Sequence, residues 1–168
     1  DLNSYIGFSM TADARMMVLP QTNLNRQIWE ISDSKASTPT QLTFGNETHY
    51  ESVSWIGNDY IVFDQDENSS YDNYNIWRMR PDGSDRVQLT YGSDDNTQPS
   101  VSPDGTTIVF VSRRSGKRQL WRMNADGSDL RQLTEFPNGI FNPRFSNDGR
   151  WVYFGTSEAG VSRVRRVS

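Results

Sequence analysis

Pro99-Ser100-Val101-Ser102-Pro103-Asp104-Gly105-Thr106 opens the clearest copy of a unit that ends at Gln132-Leu133-Thr134. Pro99 to Ser102 predicts a short strand. Pro103-Asp104-Gly105 predicts a turn, because Asp bonds its own backbone and Gly enters the φ > 0 region without a Cβ clash. Thr106 to Ser112 is β-branched and predicts a second strand. Arg113 to Arg118 is a polar hairpin containing Gly116, and Gln119 to Asn124 is a third strand. Ala125-Asp126-Gly127-Ser128 is another turn, and Leu130 to Thr134 is a fourth strand.

The unit recurs on both sides of this stretch. Gln119-Leu120-Trp121-Arg122-Met123 has copies at Gln27-Ile28-Trp29-Glu30-Ile31 and Asn75-Ile76-Trp77-Arg78-Met79. A degenerate copy follows at Arg163-Val164-Arg165-Arg166-Val167. Gln41-Leu42-Thr43, Gln88-Leu89-Thr90 and Gln132-Leu133-Thr134 form a second register, and Leu19, Phe63, Phe110 and Phe154 a third, spaced 44, 47 and 44. Four short strands per roughly 44 residues is the signature of a β-propeller blade. Ile108-Val109-Phe110-Val111 and Trp151-Val152-Tyr153-Phe154 are apolar on both sides, as a sheet covered on both faces requires. No amphipathic helical stretch is present.

The expectation is therefore an all-β, partial β-propeller or half ring of about four four-stranded blades. It forms one domain over residues 1–168, with blades at about 5–43, 50–90, 98–134 and 142–168. The fourth blade stops after its third strand.

Composition narrows the chemistry. The 168 residues contain no Cys and one His, His49. That excludes disulfides, thiolate zinc sites, Cys nucleophiles and any site needing two imidazoles. No apolar run approaches the ~18 residues of a membrane-spanning helix. The sequence opens at Asp1 without a basic-then-apolar signal segment, and is read as a processed or trimmed piece. Residues 1–100 carry 6 Lys/Arg against 15 Asp/Glu, a net of −9, and residues 101–168 carry 11 against 6, a net of +5. Halves of opposite sign suit complementarity within the chain or with a neighbour. Long Lys/Arg runs are missing, which argues against a nucleic-acid partner.

Val101-Ser102-Pro103-Asp104-Gly105, Leu120-Trp121-Arg122-Met123-Asn124-Ala125-Asp126-Gly127-Ser128 and Gln132-Leu133-Thr134 together resemble the TolB-type propeller repeat. Ile76-Trp77-Arg78-Met79-Arg80-Pro81-Asp82-Gly83-Ser84 and Phe145-Ser146-Asn147-Asp148-Gly149 match it too. The first copy diverges, with Asp13-Ala14 in place of Asp-Gly and Ser32-Asp33-Ser34 at the second turn. The resemblance implies a bacterial, periplasmic or extracytoplasmic protein that works by protein–protein contact. It also implies relatives in sensory tails, peptidase-associated gates and polysaccharide lyases. A chain with fewer than four full blades is expected to be the end of a larger propeller, or a half ring pairing with another.

Candidate sites follow from register. Connections from a fourth strand to the next blade's first strand line the channel mouth and are the default ligand surface. They place His49 and Tyr50, Thr97 and Gln98, and Phe141 and Asn142 at equivalent positions. The hairpin Arg113-Arg114-Ser115-Gly116-Lys117-Arg118 is a candidate anion site, and the acidic hairpin 64–73 is expected to meet it. Asp64-x-Asp66-x-Asn68 has the alternating oxygens of a Ca²⁺ loop. It lacks the Gly and the twelfth-position Glu of an EF-hand, so Ca²⁺ is the one cofactor considered, against a plain solvated hairpin. Trp29, Trp77 and Trp121 read as blade packing rather than a stacking platform, because they repeat in register.

Nucleophile-elbow, phosphate-loop and metal-protease motifs are absent. The functional expectation is a non-catalytic protein-interaction or sensory binding module, and not an enzyme. The alternative is the propeller portion of an enzyme, either a peptidase gate or a polysaccharide lyase. An incomplete ring also exposes apolar blade faces, so a homo-oligomer is expected to bring the Leu19 side of blade one against the Trp151 side of blade four.

Overall fold

In the computed structural model, described for residues 4–5, 9–11, 13–22, 27–32, 38–44, 49–66, 73–92 and 94–168, each repeat becomes one antiparallel sheet. Blade one contains β1 (Ser4–Tyr5), β2 (Ser9–Met10), β3 (Met16–Thr22), β4 (Gln27–Ser32) and β5 (Thr40–Gln41). Blade two contains β6 (His49–Ile56), β7 (Tyr60–Asp66), β8 (Tyr74–Met79) and β9 (Val87–Gln88). Blade three contains β10 (Thr97–Val101), β11 (Thr107–Ser112), β12 (Gln119–Asn124) and β13 (Arg131–Gln132). Blade four contains β14 (Ile140–Phe145), β15 (Val152–Glu158) and β16 (Val161–Val167). Its sheet has three strands, as expected. No helix among the described residues is long and apolar enough to cross a membrane.

The first strands of blades two, three and four carry an irregularity at the same place. In β10, Thr97 faces Val111 and Ser100 faces Val109, so the inner strand has one residue more than its partner. The same count holds between Tyr50 and Val53 in β6 and between Phe141 and Arg144 in β14. In blade one, β1 and β2 both pair with β3. Gln98 and Asn142 sit in these bulges with φ of 58° and 52°. A bulge bends its strand and re-aims the side chains near it.

The fourth strands are shorter than the sequence suggested, at two residues each. Side chains hold them where the ladder ends. The Leu42, Leu89 and Leu133 N–H groups donate to the carbonyls of Ile28, Ile76 and Leu120. The hydroxyls of Thr43, Thr90 and Thr134 accept from the N–H groups of the same three residues, at 2.9, 2.8 and 3.0 Å. This is the physical content of the Leu-Thr repeat.

The Asp-Gly turns are equally local. The Asp104 carboxylate accepts from the Ser102 hydroxyl at 2.5 Å and from the Thr106 N–H at 3.1 Å. Asp148 does the same for Ser146 and Arg150. In the divergent first copy, Asp13 accepts from Thr11 and Arg15, and Ala14 holds φ 58° where Gly105 and Gly149 hold 73° and 68°. These hydrogen bonds stabilise the ionised form, so Asp13, Asp104 and Asp148 all titrate below the usual carboxylate value.

The core lies between blades. Val18, Ile28 and Leu42 of blade one pack on Val53, Trp55, Ile61, Phe63 and Met79 of blade two. Val62, Ile76 and Leu89 pack on Ile108, Phe110 and Met123 in the same way. Val109, Val111 and Leu120 pack on Ile140, Val152 and Phe154. Trp77 and Trp121 join the first and second of these clusters, and Arg86 and Arg114 lie over their rings at 4.9 and 5.0 Å. Both indoles are thus packing elements. Tyr153 and Val164 occupy in blade four the register of Val62 and Ile76, and there they are 38% and 78% exposed. No described strand of blade one packs against one of blade four, so the described blades form an open arc.

Candidate functional site

The bulges decide what happens at the channel mouth. Asp64, on β7, is completely buried. Its carboxylate accepts the Ser52 N–H at 2.6 Å and, across the blade boundary, the Gln98 N–H at 2.8 Å. The Gln98 side-chain carbonyl in turn accepts the Asn142 N–H of the next blade at 2.8 Å. A chain of three hydrogen bonds thereby ties the inner strands of blades two, three and four. The backbone groups that the bulges free from the ladder are the ones it satisfies.

The mouth residues predicted from register lie in β6, β10 and β14 rather than in the connections before them. The inner strands begin two residues earlier than a Pro-led start allows for. Gln98 and Asn142 meet directly. Thr97 is buried at 1% exposure, a correction to its expected place on an open ligand surface. Phe141 is partly exposed and lies flat on Gly155, where a Cβ would stand 2.3 Å from its ring. His49 and Tyr50 open β6, and their side chains lie outside the described residues.

The basic hairpin has acidic partners, but not the expected ones. Arg113 and Arg118 reach Asp95 at 3.1 and 3.0 Å, and Arg114 stands 3.9 Å from Asp94 while donating to Asn96 at 2.8 Å. The carboxylates come from the connection leading into β10. The side of the acidic hairpin beyond Asp66 lies outside the described residues. Arg114 is partly buried, and loss of solvent pulls its guanidinium below the ordinary value. Among the described residues, two acids stand against Arg113, Arg114, Lys117 and Arg118, a surplus of positive charge. Arg113, Lys117, Arg118 and Phe141 share the wall of an open cavity of about 350 Å³. The structure therefore joins two features that the sequence kept apart.

The expected cation loop is drawn differently. Asp64 and Asp66 lie on a strand, fully buried, not on a tight turn, and Asp64 holds backbone N–H groups. Asn68 lies outside the described residues. Among the described residues no three His, Asp or Glu side chains cluster as a metal site would require.

One set of residues escaped the sequence reading. Ser9, Ser54, Ser100 and Arg144 occupy one register in the four inner strands, spaced 45, 46 and 44. They line a cavity of about 280 Å³ between those strands. The signal was present as Ser, Ser, Ser, Arg at blade spacing, and serines are too common for it to stand out before the bulges fix the register.

Four-stranded sheets fanned around inner strands define the class as a β-propeller arc. The TolB β-propeller domain family matches residues 67–168, more than half of the sequence, and the chain belongs to that family. TolB from Acinetobacter baumannii superposes with a TM-score of 0.82 at 19% identity, over 98% of this chain and 41% of that one. A structure assigned as TolB from Agrobacterium tumefaciens gives 0.77 at 25% identity, over 96% of this chain and 60% of that one. An oligogalacturonate lyase in complex with manganese gives 0.71 at 15% identity, over 97% and 53%. The chain thus spans about two fifths to three fifths of the TolB chains it resembles. No curated protein sequence matches it.

Proposed function

We propose that this chain is a non-catalytic propeller module that binds an acidic surface of a protein partner at its channel mouth, outside the cytoplasm. The observation that carries the reading is the mouth cavity walled by Arg113, Lys117, Arg118 and Phe141. An aromatic ring beside partly exposed cations is a common composition for a protein interface. The extracytoplasmic location rests on family likeness to TolB. The open face of blade four, with Tyr153 and Val164 uncovered, supports completion of the arc by further blades or a second copy.

The alternative reading, the propeller portion of an enzyme, has its support in the fold shared with the oligogalacturonate lyase. The single histidine of this sequence weighs against the lyase form of that reading; the peptidase-gate form requires a hydrolase domain elsewhere in the whole gene product.

The test places a photo-crosslinking amino acid at Phe141, Lys117 or Thr97 in the whole gene product in cells. A discrete protein adduct from Phe141 and Lys117, with none from buried Thr97, is expected. Turnover of oligogalacturonate or of an aminoacyl-arylamide by the whole product, lost on truncating mouth side chains, overturns the reading.

A further inference from the structure

The cavity at Arg144 differs from the mouth in one chemical respect: no carboxylate lines it, and among the described residues Ser146 is the one lining hydroxyl that already donates, to Asp148. Its lining includes Ser9, Ser54, Ser100, Asn147 and Arg144, and no carboxylate. The Ser9 and Ser100 hydroxyl oxygens accept the Trp55 and Phe145 N–H groups of the next blade, at 3.0 and 3.4 Å. That leaves each O–H free to donate. The Arg144 guanidinium has five N–H donors. Among the described residues its side chain makes one hydrogen bond, Nη1 to the Pro143 carbonyl at 2.9 Å. Arg144 stays exposed to solvent, but partial burial against the surrounding strands lowers its pKa while the field of Asp64 opposes that shift. A planar cation with uncommitted donors, standing in an open cavity that no carboxylate lines, is suited to a carboxylate, which accepts two parallel N–H bonds.

We infer that the cavity on the channel axis binds a carboxylate group through Arg144, with Ser9 and Ser100 donating beside it. The inference rests on the partner-binding reading in taking that carboxylate to belong to a protein chain. An acidic side chain or a chain terminus supplies the same group. Arg144 stands in blade four where Ser9, Ser54 and Ser100 stand in the other three blades.

The test is a titration of the full chain, followed by the backbone amide resonances of Trp55, Ser100 and Phe145. Three probes are used: acetyl-Gly-Asp-Gly-amide, acetyl-Gly-Asn-Gly-amide and acetyl-Gly-Gly-Gly with a free carboxylate. Saturable shifts at these amides are expected with the first or third probe. The Asn peptide should bind at least about tenfold more weakly, as the loss of a bidentate ionic pair requires. Whichever carboxylate binds more tightly assigns the source. Arg144→Gln should weaken binding about tenfold or more, and Arg144→Lys by less. Ser100→Ala should weaken it a few fold, which keeps the test open if the Arg144 variants unfold. Equal shifts with the Asn peptide, or shifts confined to residues 113–118, overturn the inference. A chain that crosslinks at Phe141 but shows no carboxylate shift loses this inference and keeps the proposed function.

Discussion

At the mouth of the channel, Asp64 and Gln98 spend their oxygens on the N–H groups of Ser52, Gln98 and Asn142, and Asp95 is shared by Arg113 and Arg118. Further along the axis, Ser9, Ser100 and Arg144 line a cavity that holds no carboxylate, with most of their donors free. The two regions are similarly polar in sequence. Their difference teaches that charge density does not mark a binding site; unspent hydrogen-bonding capacity does. Cross-blade clamps hold the mouth. At the other end the Asp turns satisfy themselves within five residues, so the nearby inner-strand donors are left over.

The contrast is broken most severely at Asp64. Asp64→Ala leaves two buried N–H groups without acceptors. Bonds to charged groups contribute about 1.5–3 kcal/mol each, so a loss of roughly 3–6 kcal/mol is expected in urea unfolding. Loss below about 1 kcal/mol would show that the mouth is not held by this carboxylate.

Gly155→Ala comes next. The added Cβ collides with the Phe141 ring at 2.3 Å, and overpacking of this kind costs about 1–3 kcal/mol. Truncating the ring in the same chain, Phe141→Ala with Gly155→Ala, should recover part of the loss. No recovery would mean that the collision is relieved elsewhere.

Ala14→Gly acts at the self-contained turns and should have a smaller effect of opposite sign. Ala14 holds φ 58°, a left-handed conformation that costs an L-residue about 1–2 kcal/mol. Glycine removes that strain and gains flexibility when unfolded, so a net gain of about 0.5–1 kcal/mol in thermal unfolding is expected.

The smallest effect is in the titration of the turns. Asp104 is held below the usual carboxylate value, first by the Ser102 hydroxyl and then by the Thr106 N–H. Because its folded pKa is depressed, its contribution to stability is complete above the unfolded pKa and disappears as pH falls through the folded one. In a carboxyl NMR titration, Ser102→Ala should move the Asp104 midpoint upward, toward 3.8. An unmoved midpoint would contradict the hydrogen-bond origin of the shift.

Most of the fold was legible because the repeat writes each of the first three blades twice, once as the Trp register and once as Leu-Thr. The blade-to-blade packing was legible too, in strands such as Ile108-Val109-Phe110-Val111 that are apolar on both sides, and Val109, Val111, Ile108 and Phe110 do pack between blades. The site was less legible. Asp64 reads as a solvated hairpin acid until the bulge in β10 brings the Gln98 N–H across a blade boundary. Asp94 and Asp95 read as loop acids until their connection folds against the basic hairpin. Ala14 breaks the Asp-Gly pattern but not its hydrogen bonds, because Asp13 still accepts from Thr11 and Arg15.

The most direct measurement is the thermal unfolding of Asp64→Asn and Arg144→Gln side by side. Asp64→Asn removes a charge that the mouth uses internally, and its Tm should fall by at least about 5 °C, at roughly 2–4 °C per kcal/mol for a domain of this size. Arg144→Gln removes a charge with one weakly committed hydrogen bond, and its Tm should stay within about 1 °C. A large fall for Arg144→Gln with little change for Asp64→Asn would contradict the account, because the structural and the available charges would then be exchanged.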